Sequence, residues 1–297
     1  MANTIWTPEQ AARSTLAALR YLTTLPRTVR QDFSSDFVPG VGNVVNIKNP
    51  ISAGEARVYT AANRAARDAI VFDDLSQDTI PVTITDQVYK AVRLPDDFAT
   101  FTLTSLEREV LRPQAESVVD GVTAPLLTEM NAVATDAGVD ALAADGSNAL
   151  QVLIQLRAVL NDRKVPMTDR WFAVTPAAEA ALLSLDQLQK VNESGSDGVL
   201  REATIGRLFG FNIIVDPNLT QSVAYHRDAF AHVTRPSRNP EGAAKSATVA
   251  QDGFALRWLM HYNPLQLEDQ SVVDTFVGAE TLDAQRAVAV ADPAAGA

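Results

Sequence analysis

The residues able to do chemistry are few in this chain, and their spacing keeps them apart. The three histidines, His226, His232 and His261, do not fall in an HExxH or comparable metal-ligand pattern. His226 in "YHRDAF" has the type of a general base, yet no nucleophile or orienting acid sits at a recognisable offset, and a surface or interface histidine is the preferred reading. Asp73 with Asp74 and Asp96 with Asp97 place carboxylates side by side, as metal and glycosidase sites do. Neighbouring strand residues point to opposite faces, so turns or solvated loops explain these pairs better. No serine lies in a GxSxG elbow, and "GRLFG" lacks the Lys and Ser or Thr that complete a phosphate loop. Gly206 and Gly210 in that stretch read instead as positions of positive φ or close packing.

Composition narrows the remaining chemistry. Cysteine is absent from the 297 residues, which excludes disulfides, thiolate metal sites and cysteine nucleophiles. A formal net charge of -11 argues against a surface built to wrap nucleic acid. Five lysines stand against 20 arginines, and arginine is the better residue for planar ion pairs across an interface. No stretch approaches the roughly 20 apolar residues of a membrane span. The N-terminus also lacks the charged start and apolar core of a signal peptide, so a soluble protein that stays where it is made is expected.

The elements that would carry a site are easier to read. Thr7 and Pro8 open a helix with apolar residues at Leu16, Leu19 and Leu22. The following residues, broken by Pro26, Pro39, Gly40 and Gly42, read as an extended arm. Arg13, Arg20, Arg27 and Arg30 make this region basic, suited to packaged nucleic acid or to acidic neighbouring subunits. Interspersed with Glu9, Asp32 and Asp36, they read first as ion-pair partners.

"NVVNIKNP" and "QDTIPVTITDQVYKAVRL" alternate as strands, the second around Pro81, and enclose an excursion with a poorly packed tip over residues 51 to 80. A capping box of Thr104 and Glu107 predicts a long helix with Leu106, Val110, Val118, Val122, Leu126, Met130 and Val133 on one face. Pro113, Gly121 and Pro125 are expected to bend or break it. Beyond it come a helix capped by Ser147, the strand "RWFAV", a helix capped by Thr175, and a polar loop over residues 186 to 198. The strand "FNIIV" follows, then a further loop, two late strands and a fraying tail "AVADPAAGA". The alternation predicts an α+β fold.

The order of these elements resembles the major capsid proteins of tailed bacteriophages, in the coat-protein branch of the Hong Kong ninety-seven type. "VVNIKNP" and "PVTITDQVYKAVRL" resemble the start and return of the extended E-loop, and "LTSLEREVLRPQAESVVDGVTAPLL" the spine helix with its proline. "RWFAVTPAAEAALL", "ATIGRLFGFNIIVDPNL" and "YHRDAF" resemble the axial domain, and "FALRWLMHYNP" with "VVDTFVGAETL" the returning peripheral strands. The resemblance implies an N-terminal arm over 1–45, an E-loop with flanking strands over 46–95, and a peripheral domain with spine helix over 96–145. An axial domain over 146–250 and returning peripheral strands with a tail over 251–297 complete it.

By the same resemblance, copies would form the hexamers and pentamers of an icosahedral head around double-stranded DNA, located in the virion and assembled in the host cytoplasm. The implied partners are a scaffolding protein, a portal protein, a decoration protein and packaged DNA held by weak contact, with no membrane, cofactor, metal or catalytic site. Pro113, Gly121 and Pro125 would be hinges, Gly206 and Gly210 tight turns beside neighbours, and the four arginines contacts of the arm. Some relatives cross-link through an E-loop lysine. Residues 51 to 80 contain none, Lys48 and Lys90 being nearest, so a shell without cross-links is expected. Residues 1 to 45 could not fold into the built-in scaffold domain of other relatives, which points to a separate scaffold. Two alternatives stand beside this reading: an encapsulin-like compartment, and a soluble α+β enzyme using His226 and Asp216.

Overall fold

The computed structural model describes residues 7–31, 43–48, 56–72, 79–84, 86–101, 105–184, 206–242 and 245–292. The expectations for Asp32, Asp36, Asp73, Asp74, Thr104 and the loop at 186–198 lie outside them. Two five-stranded sheets and a two-stranded excursion organise the described chain.

The first sheet runs β3 (Asp86–Pro95), β11 (Glu268–Thr281), β10 (Phe254–Asn263) and β9 (Lys245–Gln251), with β8 (Phe230–Arg235) also pairing with β11. All its pairings are antiparallel, and Val272 of β11 stands opposite Ala91 of β3. Trp258, Val273, Leu256 and Val277 turn one face of this sheet toward two helices, α1 (Pro8–Leu22) and α4 (Arg112–Asn131), and form one core with them.

Helix α1 starts as its sequence dictates. The Thr7 hydroxyl accepts from the Gln10 amide at 3.3 Å, the Gln10 side chain accepts from the Thr7 amide at 3.1 Å, and Pro8 occupies the first turn. Ala11, Ala12, Leu16 and Leu19 are buried, so this helix is part of the core. The expected extended arm is corrected over residues 23–31 as well. Leu25 to Thr28 form a 3-10 turn with Leu25, Pro26 and Thr28 buried, and Arg30 bridges to Ala231 of β8. Leu25 and Val29, buried in a core with Tyr225 and Phe230, outweigh the prolines that suggested a loose segment.

The long helix begins with a π-helical turn, Glu107–Leu111, directly upstream of Pro113. The wider turn accommodates a residue that lacks an N–H and whose ring would crowd the carbonyl of Glu109. Helix α4 then runs unbroken through Gly121 and Pro125, so the break expected there does not occur. A Cβ on Gly121 would lie 2.5 Å from Val88 Cγ1, so this glycine permits a close approach of α4 to β3. Gln114, fully buried, fastens the helix to the sheet by donating to the carbonyls of Lys90 at 3.2 Å and Ser271 at 3.0 Å. Its own carbonyl accepts from the Ser271 hydroxyl at 2.9 Å, which in turn accepts from the Trp258 indole at 3.0 Å. Glu107 accepts from the Ser14 hydroxyl at 2.7 Å and ties the start of the long helix to α1.

The second sheet has the order β12 (Ala287–Val290), β7 (Ser222–His226), β4 (Arg170–Val174), β6 (Phe211–Val215) and β5 (Arg207–Leu208). Only β4 and β6 run parallel, and helix α6 (Pro176–Leu183) lies on the crossover that such a pair needs. Helices α5 (Ala149–Asp162) and α6 bury Leu153, Leu156, Leu160 and Leu182 against Phe172 and Phe211. Thr175 caps α6 as expected, its hydroxyl accepting from the Ala178 amide at 3.2 Å. The cap of α5 is corrected from Ser147 to Asn148, whose side chain accepts from Ala143 and donates to Ala141 and so belongs to the preceding loop.

Sheet membership crosses the segment boundaries suggested by element order. β8 and all but the last residue of β9, within 146–250, belong to the β3 sheet, and β12, within 251–297, belongs to the β4 sheet. The tail therefore does not fray through residue 292. Ala289 and Val290 are buried, and Asp292 accepts from the Thr175 and Ser222 hydroxyls at 2.7 and 2.9 Å.

His232 ties β8 to α4. Its Nε2 donates to the Val122 carbonyl of α4 at 2.9 Å, leaving buried Nδ1 without a partner among the described residues. Burial lowers its pKa to about 4, against the smaller opposing effect of the Val122 bond. A depressed folded-state value means the contribution to stability is present above pH 6.5 and is lost as pH falls toward 4. Between pH 7 and pH 4 the wild type is expected to lose about 3 kcal/mol more stability than His232→Leu in urea unfolding. Comparison with the variant removes the opposing trend of Asp216, Glu280 and Asp292, whose pKa values burial raises.

Candidate assembly surfaces

The residues flagged for chemistry are not brought together. His226 is buried, accepts from the Asp228 amide through Nδ1 at 3.2 Å, and has its pKa lowered chiefly by burial. Asp216 accepts from the Asn218 amide at 2.9 Å, closing a turn after β6. Asp96 accepts from the Tyr262 hydroxyl at 2.9 Å and Asp97 from the Phe98 amide at 2.8 Å, at the start of the short helix α3 (Asp96–Phe101). Among the described residues no group of three or more His, Cys, Asp or Glu could hold a metal ion. No helix among them is long and apolar enough to cross a membrane.

What the fold does present is exposed apolar surface on a rigid root. β1 (Val44–Lys48) pairs antiparallel with β2 (Thr79–Thr83), Ile47 opposite Ile80 and Asn46 opposite Pro81. Their inward residues Val45, Ile47 and Val82, with Ile84, pack on Ala231, Val233 and Leu282. The single return strand expected around Pro81 is thus two strands in different sheets, because β3 turns away to pair with β11. Beyond the root, helix α2 (Ala61–Ala66) is closed by Thr60 and Asn63 and by Arg67 at φ 56°, and buries none of its residues. Val58, Ile70, Val71 and Phe72 around it are 62–85% exposed. A second apolar patch, missed in the sequence, lies at the β10–β11 turn. There Leu265 and Leu267, two apart within an otherwise polar turn, are 93% and 62% exposed beside Tyr262 and Phe98. Monomers rarely leave such groups of large apolar side chains in water without a partner.

The arginines of the N-terminal region are distributed over the docked helix and turn. Arg20 pairs with Asp252 of the β9–β10 turn and shares a cleft with Arg27, Gln31 and Arg227; Arg13 is exposed on α1. The backbone of Arg30 is committed to β8, its amide donating to Phe230 at 3.2 Å. Of the two glycines in "GRLFG", only one is needed for its conformation. Phe209 and Gly210, at φ 48° and +91°, form the two-residue turn of the β5–β6 hairpin, as its twist requires. Gly206 has no positive φ and, among the described residues, no neighbour within 4 Å of an added Cβ, which corrects its assignment as a tight turn. In urea unfolding, Gly206→Ala should lie within about 0.5 kcal/mol of wild type. Gly210→Ala should cost about 1–2 kcal/mol.

No family model matches the chain, and no curated protein matches it. Solved structures do. A chain from Mycobacterium phage Che8 superposes with a TM-score of 0.66 at 19% identity, covering 90% of each chain. The asymmetric unit of the bacteriophage PhiM1 mature capsid gives 0.58 at 13% identity, over 86% of this chain and 84% of that one. A virus-like particle from Pyrococcus furiosus gives 0.51 at 12% identity, over 95% and 98%. At these identities the shared property is the fold. The chain has the α+β fold of tailed-phage capsid subunits, the Hong Kong ninety-seven type.

Proposed function

We propose that this chain is the major capsid protein of a tailed bacteriophage, a structural protein without enzymatic activity whose copies close into hexamers and pentamers of an icosahedral head around double-stranded DNA. The observation that carries the reading is the excursion at 44–84, whose root is packed on the core and whose apolar side chains at Val58, Ile70, Val71 and Phe72 stay exposed among the described residues. In a closed homo-oligomer each tip meets a neighbouring copy, and symmetry ends the association. The E-loop of the fold corresponds to this excursion. The β3 sheet with α1 and α4 acts as the peripheral unit, and the β4 sheet with α5 and α6 as the axial one.

The acidic balance of the chain suits a wall that contacts packaged DNA weakly, and the virion, after assembly in the host cytoplasm, is its location on this reading. Scaffolding, portal and decoration proteins are its partners, and Arg13, Arg20, Arg27 and Arg30 the side chains offered to neighbours. Pro113, Gly121 and Pro125 remain hinge positions for any rearrangement of α4; faster amide exchange there in precursor than in mature shells supports this, and uniform exchange rejects it. A cargo-holding compartment is the second reading, favoured by the fold shared with the Pyrococcus furiosus particle, though at a TM-score of 0.51 against 0.66 for the Che8 chain.

The experiment is negative-stain electron microscopy with light scattering on the protein expressed alone and with its scaffold. Uniform closed particles are expected, and nuclease-protected DNA inside phage-derived ones separates a head from a compartment. A small monodisperse species under both conditions overturns the shell reading.

A further inference from the structure

Three arginines share one open cleft of about 420 Å³ between α5 and the β5–β6 turn: Arg157, Arg170 and Arg207, with Met167, Phe209 and Gly210. Among the described residues that line it none is acidic, although the chain holds 36 acidic residues against 25 basic ones. Arg170 is 2% exposed, and its guanidinium donates to the carbonyls of Pro166 at 2.8 Å and Val165 at 2.7 Å and to Asn161 Oδ1 at 2.8 Å. Those acceptors are neutral. They satisfy geometry without neutralising the charge, whereas a buried cation is ordinarily accompanied by an anion. Burial first, and the positive Arg157 second, lower its pKa.

The rim has a composition of its own. Met167 is 60% exposed, Phe209 39% at a strained positive φ, and Ile154, one helical turn before Arg157, 50%. Arg157 Nη1 donates to the Phe209 carbonyl at 3.0 Å, which holds its planar fork beside the turn. Arginine, methionine and aromatic side chains grouped around a desolvated charge are what the centres of protein interfaces are enriched in.

We propose that this cleft is a socket for a carboxylate of a second copy of this chain, received by Arg157 and Arg207 above Arg170 and sealed by Met167 and Phe209. The inference rests on the shell reading for its occupant. Copies of a chain with net charge -11 repel one another overall, so a local cluster of cations is where an acidic surface of the next copy can be taken up. A ring of identical subunits presents the same socket and the same opposing face at every contact. The fork of arginine suits a carboxylate in two-point geometry.

The test uses the full chain with Arg157→Gln and Arg207→Gln combined, leaving Arg170 and its three bonds in place. The variant is expected to keep the wild-type thermal midpoint while its yield of closed particles, by sedimentation and negative stain, falls about tenfold or more. Arg157→Lys with Arg207→Lys should restore it only in part, since an ammonium lacks the fork. Wild-type yield from the glutamine variant overturns the proposal. Unchanged particles with weakened retention of a double-stranded DNA fragment also overturn it and assign the cleft to nucleic acid. If the wild type itself forms no particles, the shell reading fails first; inorganic phosphate binding by wild type and not by the variant then leaves an anion site and rejects the second copy as its occupant.

Discussion

Replacing residues 56–72 by a short glycine and serine turn is expected to abolish closed particles while leaving the subunit's thermal midpoint within about 2 °C of wild type. The two effects separate because none of these residues belongs to any of the four buried cores, and α2 buries nothing. The root that anchors the excursion, Val45, Ile47, Val82 and Ile84, is untouched. Fully burying a side chain such as Val, Ile or Phe stabilises by about 1.5–3 kcal/mol, and Val58, Ile70, Val71 and Phe72 offer four at every contact of a shell. Phe72→Ser alone, at 85% exposure, should weaken assembly without moving the midpoint. Electron microscopy and differential scanning calorimetry read the two properties independently. Normal particles from the shortened chain would show that the excursion is not the contact that closes the shell.

The second large effect concerns stability. Asp274 in β11 is 1% exposed and takes two parallel bonds from Arg257 of β10, at 2.8 and 2.9 Å. The same carboxylate accepts from Gln87 of β3 at 2.6 Å and from the Ser237 hydroxyl. One side chain thereby joins three strands and the loop after β8. Asp274→Ala removes the acceptor for all four donors and leaves the Arg257 cation largely buried, at a cost of about 3–5 kcal/mol. Asp274→Leu combined with Arg257→Met should recover much of that loss, because two apolar groups leave no unpaired charge. Urea unfolding measures both. A single variant within 1 kcal/mol of wild type would mean that water reaches the site and solvates Arg257.

Part of the local chemistry was legible at the start: Asp96 and Asp97, expected in a turn or solvated loop, stand at the start of a short helix. The positive site was legible only in outline. The alternation in "VVNIK" and the loose composition after it mark a two-stranded excursion, but exposure of Phe72 or Leu265 depends on what fails to pack over them. Nothing in the residues around Arg170 announces a buried cation, since its acceptors are backbone carbonyls and one asparagine.

What the sequence by itself determined are features made by residues within a turn or two of one another: the caps at Thr7 and Thr175, the apolar stripes of α1 and α4, and the order of elements that carries the α+β resemblance. These depend on spacings of three or four residues, or of two along a strand, and are present before any tertiary contact forms. Only the tertiary structure decided that β12 completes the β4 sheet and that β8 and β9 join the β3 sheet. It also decided that Gly121 serves close packing while Gly206 serves none, and that Asn148 instead of Ser147 precedes α5. The reason is distance along the chain. β3 pairs with β11 from Asp86↔Val277 to Pro95↔Glu268, and partners so far apart are selected by complementary faces and by the burial each pairing achieves, quantities that no local window of sequence contains.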